Sequence, residues 1–207
     1  YDDIPIKHGS NVIGSSLSKL QTISPRTKII AMVLKTHDQR GIGLLSDIIC
    51  AMIYAKCKNA NLVNASFAYE GLKSSIFQKV VDDLGTQQPI MLLAAAGNEG
   101  KIINDIFPAC FSSTMPHVVS VTGLQDSLAV CGELNYSPIF VDAGVNMTSI
   151  CMIPSYLDNL PIEGTSYATP ILTAWAARYY SASWIFGNSI NNKNNFLYDI
   201  KYIFIFI

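Results

Sequence analysis

The chain has 207 residues and a formal net charge of −1; its 50% hydrophobic share is ordinary for a globular protein, while its 14% charged share is low. That length suits one domain. With 14 basic and 15 acidic side chains there is neither the clustered basic excess of a nucleic-acid footprint nor a polybasic membrane patch. No apolar run approaches the ~18 residues of a membrane span, and no signal-peptide pattern is present. The first residue is Tyr1 rather than Met, which points to an upstream segment that was processed, trimmed or lost.

In chain order, residues 8–20 read as a helix with Val12, Ile13, Leu17 and Leu20 on one side. Residues 28–34 (KIIAMVL) read as a buried strand, and 41–56 as a helix with Ile42, Leu45, Ile49, Met52 and Ile53 at helical spacing. A short strand follows at 62–66, then an amphipathic helix at 72–84. Residues 90–95 and 117–122 read as apolar strands, 139–141 and 146–150 as short ones, and 165–180 as a helix entered through Gly164. Apolar strands alternating with helices indicate a parallel sheet covered on both faces, with its working site at the carboxyl ends of the strands. The tail, from about residue 184 on, is rich in Asn and Lys and then in Tyr, Ile and Phe. Its pattern leaves an edge strand, a terminal helix or a non-native extension open, and it receives no function.

The five cysteines, Cys50, Cys57, Cys110, Cys131 and Cys151, form no C-x-x-C pair, which removes zinc-ribbon and thioredoxin readings. Cys50 and Cys57 fall two turns apart on one expected helix, where a bond between them would strain it. Buried small apolar side chains are the plain reading, and the redox compartment stays open.

Three segments carry candidate chemistry: HGSNVIG from His8, AAAGNEG from Ala94 and GTSYATP from Gly164. Each alone has a plain explanation: a lone His, a Gly-Asn turn after a strand, and a helix start with a Ser or Thr cap and Pro170 in the first turn. Together they supply an acyl-transfer site. A Ser at a helix N-terminus meets free amides and the positive dipole end, a His on another helix is a general base, and an Asn after a strand offers an amide to an oxyanion.

These segments resemble the signature blocks of the subtilisin-like serine peptidases (subtilases). HGSNVIG is similar to the family's HGTHVAG, AAAGNEG to its oxyanion-hole segment and GTSYATP to its GTSMA-S/T-P nucleophile motif. Residues 63–71 (VNASFAYEG) resemble the strand carrying SLGG, and 140–150 (FVDAGVNMTSI) the APG-x-x-I strand. The resemblance covers about residues 8–180. It implies an α/β fold, a three-layer α/β/α sandwich with a mostly parallel sheet, over a domain at 1–183, with 184–207 an unassigned tail. It implies a serine endopeptidase in which Ser166 is the nucleophile, His8 its base, and Asn98 an oxyanion donor beside the Ser166 N–H. Ser66, Phe67 and Ala68 would pair with an extended substrate, and Glu99 and Gly100 would border the pocket before the scissile bond. No cofactor and no metal site are expected; the partner is a protein or peptide substrate, and the family favours a secretory location.

The departures are specific. The family's triad Asp lies in a D-S/T-G motif at the end of an early strand, upstream of the His. Only Asp2 and Asp3 precede His8, without that motif, and neither is assigned. The expectation is therefore a missing strand, a raw sheet edge and a chain that is nearly inactive and poorly folded by itself. This leaves a second reading, a catalytically inactive pseudo-peptidase or fragment that retains the fold as a binding or structural module. A lipid or cysteine hydrolase is set aside because the G-x-S-x-G elbow is absent. Asn11 replaces the second, non-catalytic His of the motif, and Tyr167 replaces Met. Ala68 and Tyr69 replace two glycines, so a pocket that is narrowed or changed in shape is expected. His37 and His117 read as structural.

Overall fold

The computed structural model of the chain describes residues 7–87, 89–147, 152–187 and 201–206. Asp2, Asp3, Cys151 and most of the strand expected at 146–150 lie outside the described residues. In order, the elements are α1 (His8–Ile23), β1 (Ile29–Leu34), α2 (Leu45–Cys57), β2 (Leu62–Ala65), β3 (Tyr69–Glu70), α3 (Ser75–Leu84), β4 (Met91–Ala95), β5 (Ile106–Phe107), a 3-10 turn (Ala109–Phe111), β6 (Val118–Leu124), β7 (Ala143–Asn146), β8 (Met152–Pro154), β9 (Pro161–Glu163), α4 (Thr165–Gly187) and β10 (Lys201–Phe206).

Six strands form one parallel sheet in the order β1-β10-β2-β4-β6-β7. Side-chain alternation along the strands divides the core. Val63 and Ala65 of β2 and Leu92 and Ala94 of β4 join Ile48 and Met52 of α2 and Phe77 and Val81 of α3. Leu62 and Leu93 point the other way, to Val12 and Leu20 of α1 and Tyr167, Ala174 and Ala177 of α4. This is the α/β/α sandwich expected, with strands buried on both faces. Fully buried side chains such as Phe77, Met52 and Leu92 each contribute about 1.5–3 kcal/mol.

Among the differences from the sequence reading, three arise where local turn chemistry wins over an apolar pattern. The second helix begins at Leu45, not Gly41, because the Asp38 carboxylate accepts the N–H groups of Arg40 (2.9 Å) and Ile42 (3.0 Å) and holds 38–42 as a turn. The third begins at Ser75, since the Ser74 hydroxyl caps it by accepting from Phe77 N–H at 3.3 Å. The strand expected at 139–141 is a turn. Ser137 Oγ accepts the N–H groups of Ile139 and Phe140, both at 3.2 Å, and the strand forms four residues later as β7.

The tail gives the largest difference. β10 is an interior strand, not an edge: Ile29–Leu34 pairs with Lys201–Phe206, and Ile203–Phe206 pairs with Leu62–Ala65. β1 joins the sheet only through β10 among the described residues. No helix of the described residues is long and apolar enough to cross a membrane.

Cys50, Cys57 and Cys110 are free thiols, and Cys131 is disulfide-bonded. Cys110 is buried among Phe107 and Phe111, and that burial pushes its thiol pKa up. His117 donates its Nε2 proton to Val81 O at 2.8 Å, and His37 packs its ring 5.6 Å from that of Phe67.

Candidate active site

β2 and β4 run in parallel with Ala65 opposite Ala94, so both chains leave the sheet on the same side. Ser66 follows the first and the turn 97–100 follows the second. The N-terminus of α4 arrives at the same place, where Thr165 N–H donates to Asn98 Oδ1 and Tyr167 N–H to Gly164 O.

Pro170 lies in the second turn of α4, not the first. Its missing N–H leaves the carbonyl of Ser166, four residues earlier, without a helical partner. The Ser66 hydroxyl fills that role, donating to Ser166 O at 2.8 Å. In return Ser166 Oγ donates to Ser66 O at 3.1 Å. Behind them, Asn64 Nδ2 donates to Ser66 Oγ at 2.9 Å, and Thr173 Oγ1 donates to Asn64 Oδ1 at 2.9 Å. Asn64 and Thr173 have no exposed surface, so this buried polar chain fixes the start of α4 to the end of β2.

Asn98 is fixed by its carbonyl end. Its Oδ1 accepts from Thr165 N–H at 2.8 Å and from Thr165 Oγ1 at 3.1 Å. Thr165 Oγ1 in turn accepts from Gly97 N–H at 3.0 Å. Two donors on Oδ1 assign the amide orientation and leave Nδ2 available on an exposed side chain. Both glycines beside this clamp need a left-handed backbone, Gly97 at φ +95° and Gly164 at φ +123°.

His8 opens α1 after Lys7, which has φ 46° and ψ 51°. Its ring lies 5.4 Å from that of Tyr167, the buried residue next to Ser166. Asn11, one turn on, is buried and accepts from Ser155 Oγ at 2.7 Å, which ties α1 to the β8–β9 hairpin. The sequence-predicted residues Ser66, Asn98, Ser166 and His8 thus come from four elements to one end of the sheet.

Phe67 is buried and Ala68 exposed. Tyr69 does not narrow a pocket: its ring packs 5.8 Å from Phe77 and 5.6 Å from Phe107, and burial raises its hydroxyl pKa. Glu99 and Gly100 are exposed on the turn, and the Glu99 carboxylate accepts from Asn135 Nδ2. Next to them Lys101 pairs with Glu70 at 2.5 Å, joining this turn to β3. Asn64, Thr165 and Asn135 were not singled out from the sequence. Apart from the Asn64–Ser66 bond their partners are far along the chain, and only the Thr165 position, next to the candidate nucleophile, carried a local signal.

The Subtilase family model (Peptidase_S8) matches residues 6–189. A "Cuticle-degrading serine protease" of Arthrobotrys oligospora is 27% identical over 180 residues, 85% of this chain and 42% of its own length. "Minor extracellular protease Epr" of Bacillus subtilis is 30% identical over 177 residues, 82% of this chain and 26% of its own. The chain therefore spans less than half the length of these relatives. Among solved structures, a lanthipeptide protease matches with TM-score 0.68 at 18% identity, covering 88% of this chain and 63% of that one. A cold-adapted subtilisin-like serine proteinase matches with TM-score 0.57 at 23% identity, over 71% and 52% respectively. At such identities the structural likeness speaks for the fold. With the family model over most of its length, the chain belongs to the subtilase family of serine proteases.

Proposed function

We propose that this chain is the catalytic part of a serine endopeptidase that hydrolyses peptide bonds in proteins through an acyl-enzyme. The supporting observation is the Asn98–Thr165 clamp, which holds an amide donor and the Ser166 hydroxyl on one frame. In this reading Ser166 Oγ attacks the substrate carbonyl and passes its proton to His8. The oxyanion is held by Asn98 Nδ2 and the Ser166 N–H. The intermediate collapses, the amine leaves with the proton from His8, and water then releases the acid by the same steps in reverse.

The resting hydrogen bonds suggest how attack is timed. Ser166 Oγ gives its proton to Ser66 O, so it must turn about χ1 before it can give it to His8. A substrate strand laid along Ser66, Phe67 and Ala68 would offer an N–H to the same carbonyl and displace the hydroxyl. Glu99 and Gly100 then border the side chain before the scissile bond. The Cys131 disulfide and the extracellular relative support a location outside the reducing cytosol.

One observation favours the second reading, an inactive pseudo-peptidase: that same hydroxyl proton rests on a backbone carbonyl rather than on an imidazole. The two part on a quenched fluorescent peptide library. The proposal expects turnover that Ser166→Ala abolishes. Binding of extended peptides without turnover, unchanged in Ser166→Ala, selects the pseudo-peptidase.

A further inference from the structure

Asn135 lies between β6 and β7, faces the turn after β4, and has no exposed surface. Its Nδ2 donates to Ala96 O at 2.9 Å and to the Glu99 carboxylate. Its Oδ1 accepts the N–H groups of Glu99 (3.0 Å) and Lys101 (3.1 Å). Its backbone N–H donates to Gly97 O at 3.1 Å. Thr122 Oγ1 donates to Asn135 O at 2.6 Å, fixing Asn135 to β6.

These partners bracket Asn98 on both sides. The turn 97–101 has no backbone hydrogen bond of its own: Gly97 N–H goes to Thr165 and Gly100 N–H to Glu133 O. Its path is left-handed at Gly97 and Gly100, a conformation a free chain would not keep. One carboxamide supplies what the turn lacks, two donors on one end and a double acceptor on the other. Among side chains of this size only Asn offers both: an Asp has no donor, and a Ser is too short to reach four groups. Asn98 touches Thr165 on one flank, and Asn135 holds the other.

We infer that Asn135 is the positioning residue of this site, holding the Asn98 turn in place and setting the Glu99 carboxylate beside the substrate pocket. The catalytic half of this statement rests on the reading of Asn98 as oxyanion donor.

Asn135→Asp tests it with little change of size. The variant keeps the two accepted N–H bonds, loses both donated ones, and sets a second carboxylate against Glu99. On a fluorogenic peptide, kcat should fall about tenfold to a hundredfold with KM nearly unchanged, because the misplaced donor acts in the transition state. Adding Glu99→Gln to Asn135→Asp restores a donor between the two and should recover part of kcat. Phe77→Leu, on the buried face of α3, controls for stability alone and should lower Tm without lowering kcat at assay temperature. Wild-type kcat in Asn135→Asp, or no recovery in the double variant, overturns the catalytic half.

Amide exchange reads the structural half without any need for activity. In Asn135→Asp the amides of Gly97 and Gly100 should exchange about tenfold faster, while those of Leu92 to Ala94 in β4 stay protected. Unchanged exchange at Gly97 and Gly100 overturns the positioning role whatever the kinetics show. Faster exchange in a protein that hydrolyses no peptide supports the positioning role and refutes the reading of Asn98 instead.

Discussion

In the proposed mechanism Asn98 has two separable tasks, and two substitutions divide them. Asn98→Ala removes the acceptor of Thr165 N–H and Oγ1 as well as the outward Nδ2. Thr165 is fully buried, so stranding its N–H should cost about 1–3 kcal/mol of stability. Asn98→Asp keeps the acceptor and replaces only Nδ2 by an oxygen, so its stability should stay close to wild type. Both lose the donor to the oxyanion. The expected fall in kcat is about 10²–10³, or roughly 3–4 kcal/mol, a magnitude carried over from the oxyanion asparagine of a subtilisin. Steady-state hydrolysis of a fluorogenic peptide gives kcat and KM, and thermal unfolding gives stability. The account requires a kcat loss in Asn98→Asp at least as large as in Asn98→Ala, since its carboxylate faces the oxyanion, together with a smaller Tm loss. Wild-type kcat in Asn98→Asp, or a raised KM at constant kcat, would make Asn98 a structural or substrate-binding residue and refute the reasoning.

Three other outcomes follow from named contacts. Ser66→Ala leaves both Ser166 O, already without a helical partner because of Pro170, and Asn64 Nδ2 unpaired, so stability should drop by about 1–3 kcal/mol in denaturant titration. An unchanged midpoint would mean water replaces the hydroxyl. Ile203→Pro removes a ladder donor from a strand bonded on both sides and should cost about 3 kcal/mol or more, whereas an edge strand would tolerate it; near-wild-type unfolding would contradict the interior position of β10. The Asp83 carboxyl is held below its ordinary 3.8, first by its hydrogen bond from Lys56. A depressed carboxylate stabilises fully above the unfolded value and loses that stabilisation as pH falls through the folded value. The stability gap between wild type and Lys56→Gln should therefore be present at pH 7, shrink with salt, and narrow as pH falls below about 3.8, leaving what Lys56 gains from Asp83 O and Thr86 Oγ1; a gap that widens in acid would contradict the pairing.

The parts of the fold that could be read from the sequence are those set by local periodicity. The apolar spacing of α1, the aliphatic run of β4 and the glycine before α4 each state their element within a few residues. The strand expected at 139–141 has an equally apolar look in Ile139, Phe140 and Val141. A single hydroxyl, Ser137 Oγ, bonds two of their N–H groups first and makes a turn. β10 was open to several readings because its partners, β1 and β2, lie more than a hundred residues away, and no local pattern states a parallel pairing. The same division holds at the site. His8, Asn98 and Ser166 stand in short motifs and come together at one end of the sheet. The residues that hold them, Asn64, Thr165 and Asn135, look like ordinary polar residues until the fold brings their partners to them.

The central claim is that Ser166 is a nucleophile activated by His8 and assisted by Asn98. A fluorophosphonate probe tests it directly, with the adduct mapped by mass spectrometry and the rate followed in wild type, His8→Ala and Asn98→Ala. The account predicts a single adduct on Ser166, absent in Ser166→Ala, and labelling that is slowed at least about tenfold in both other variants. An adduct on a different serine, or Ser166 labelling that is indifferent to His8, would contradict it.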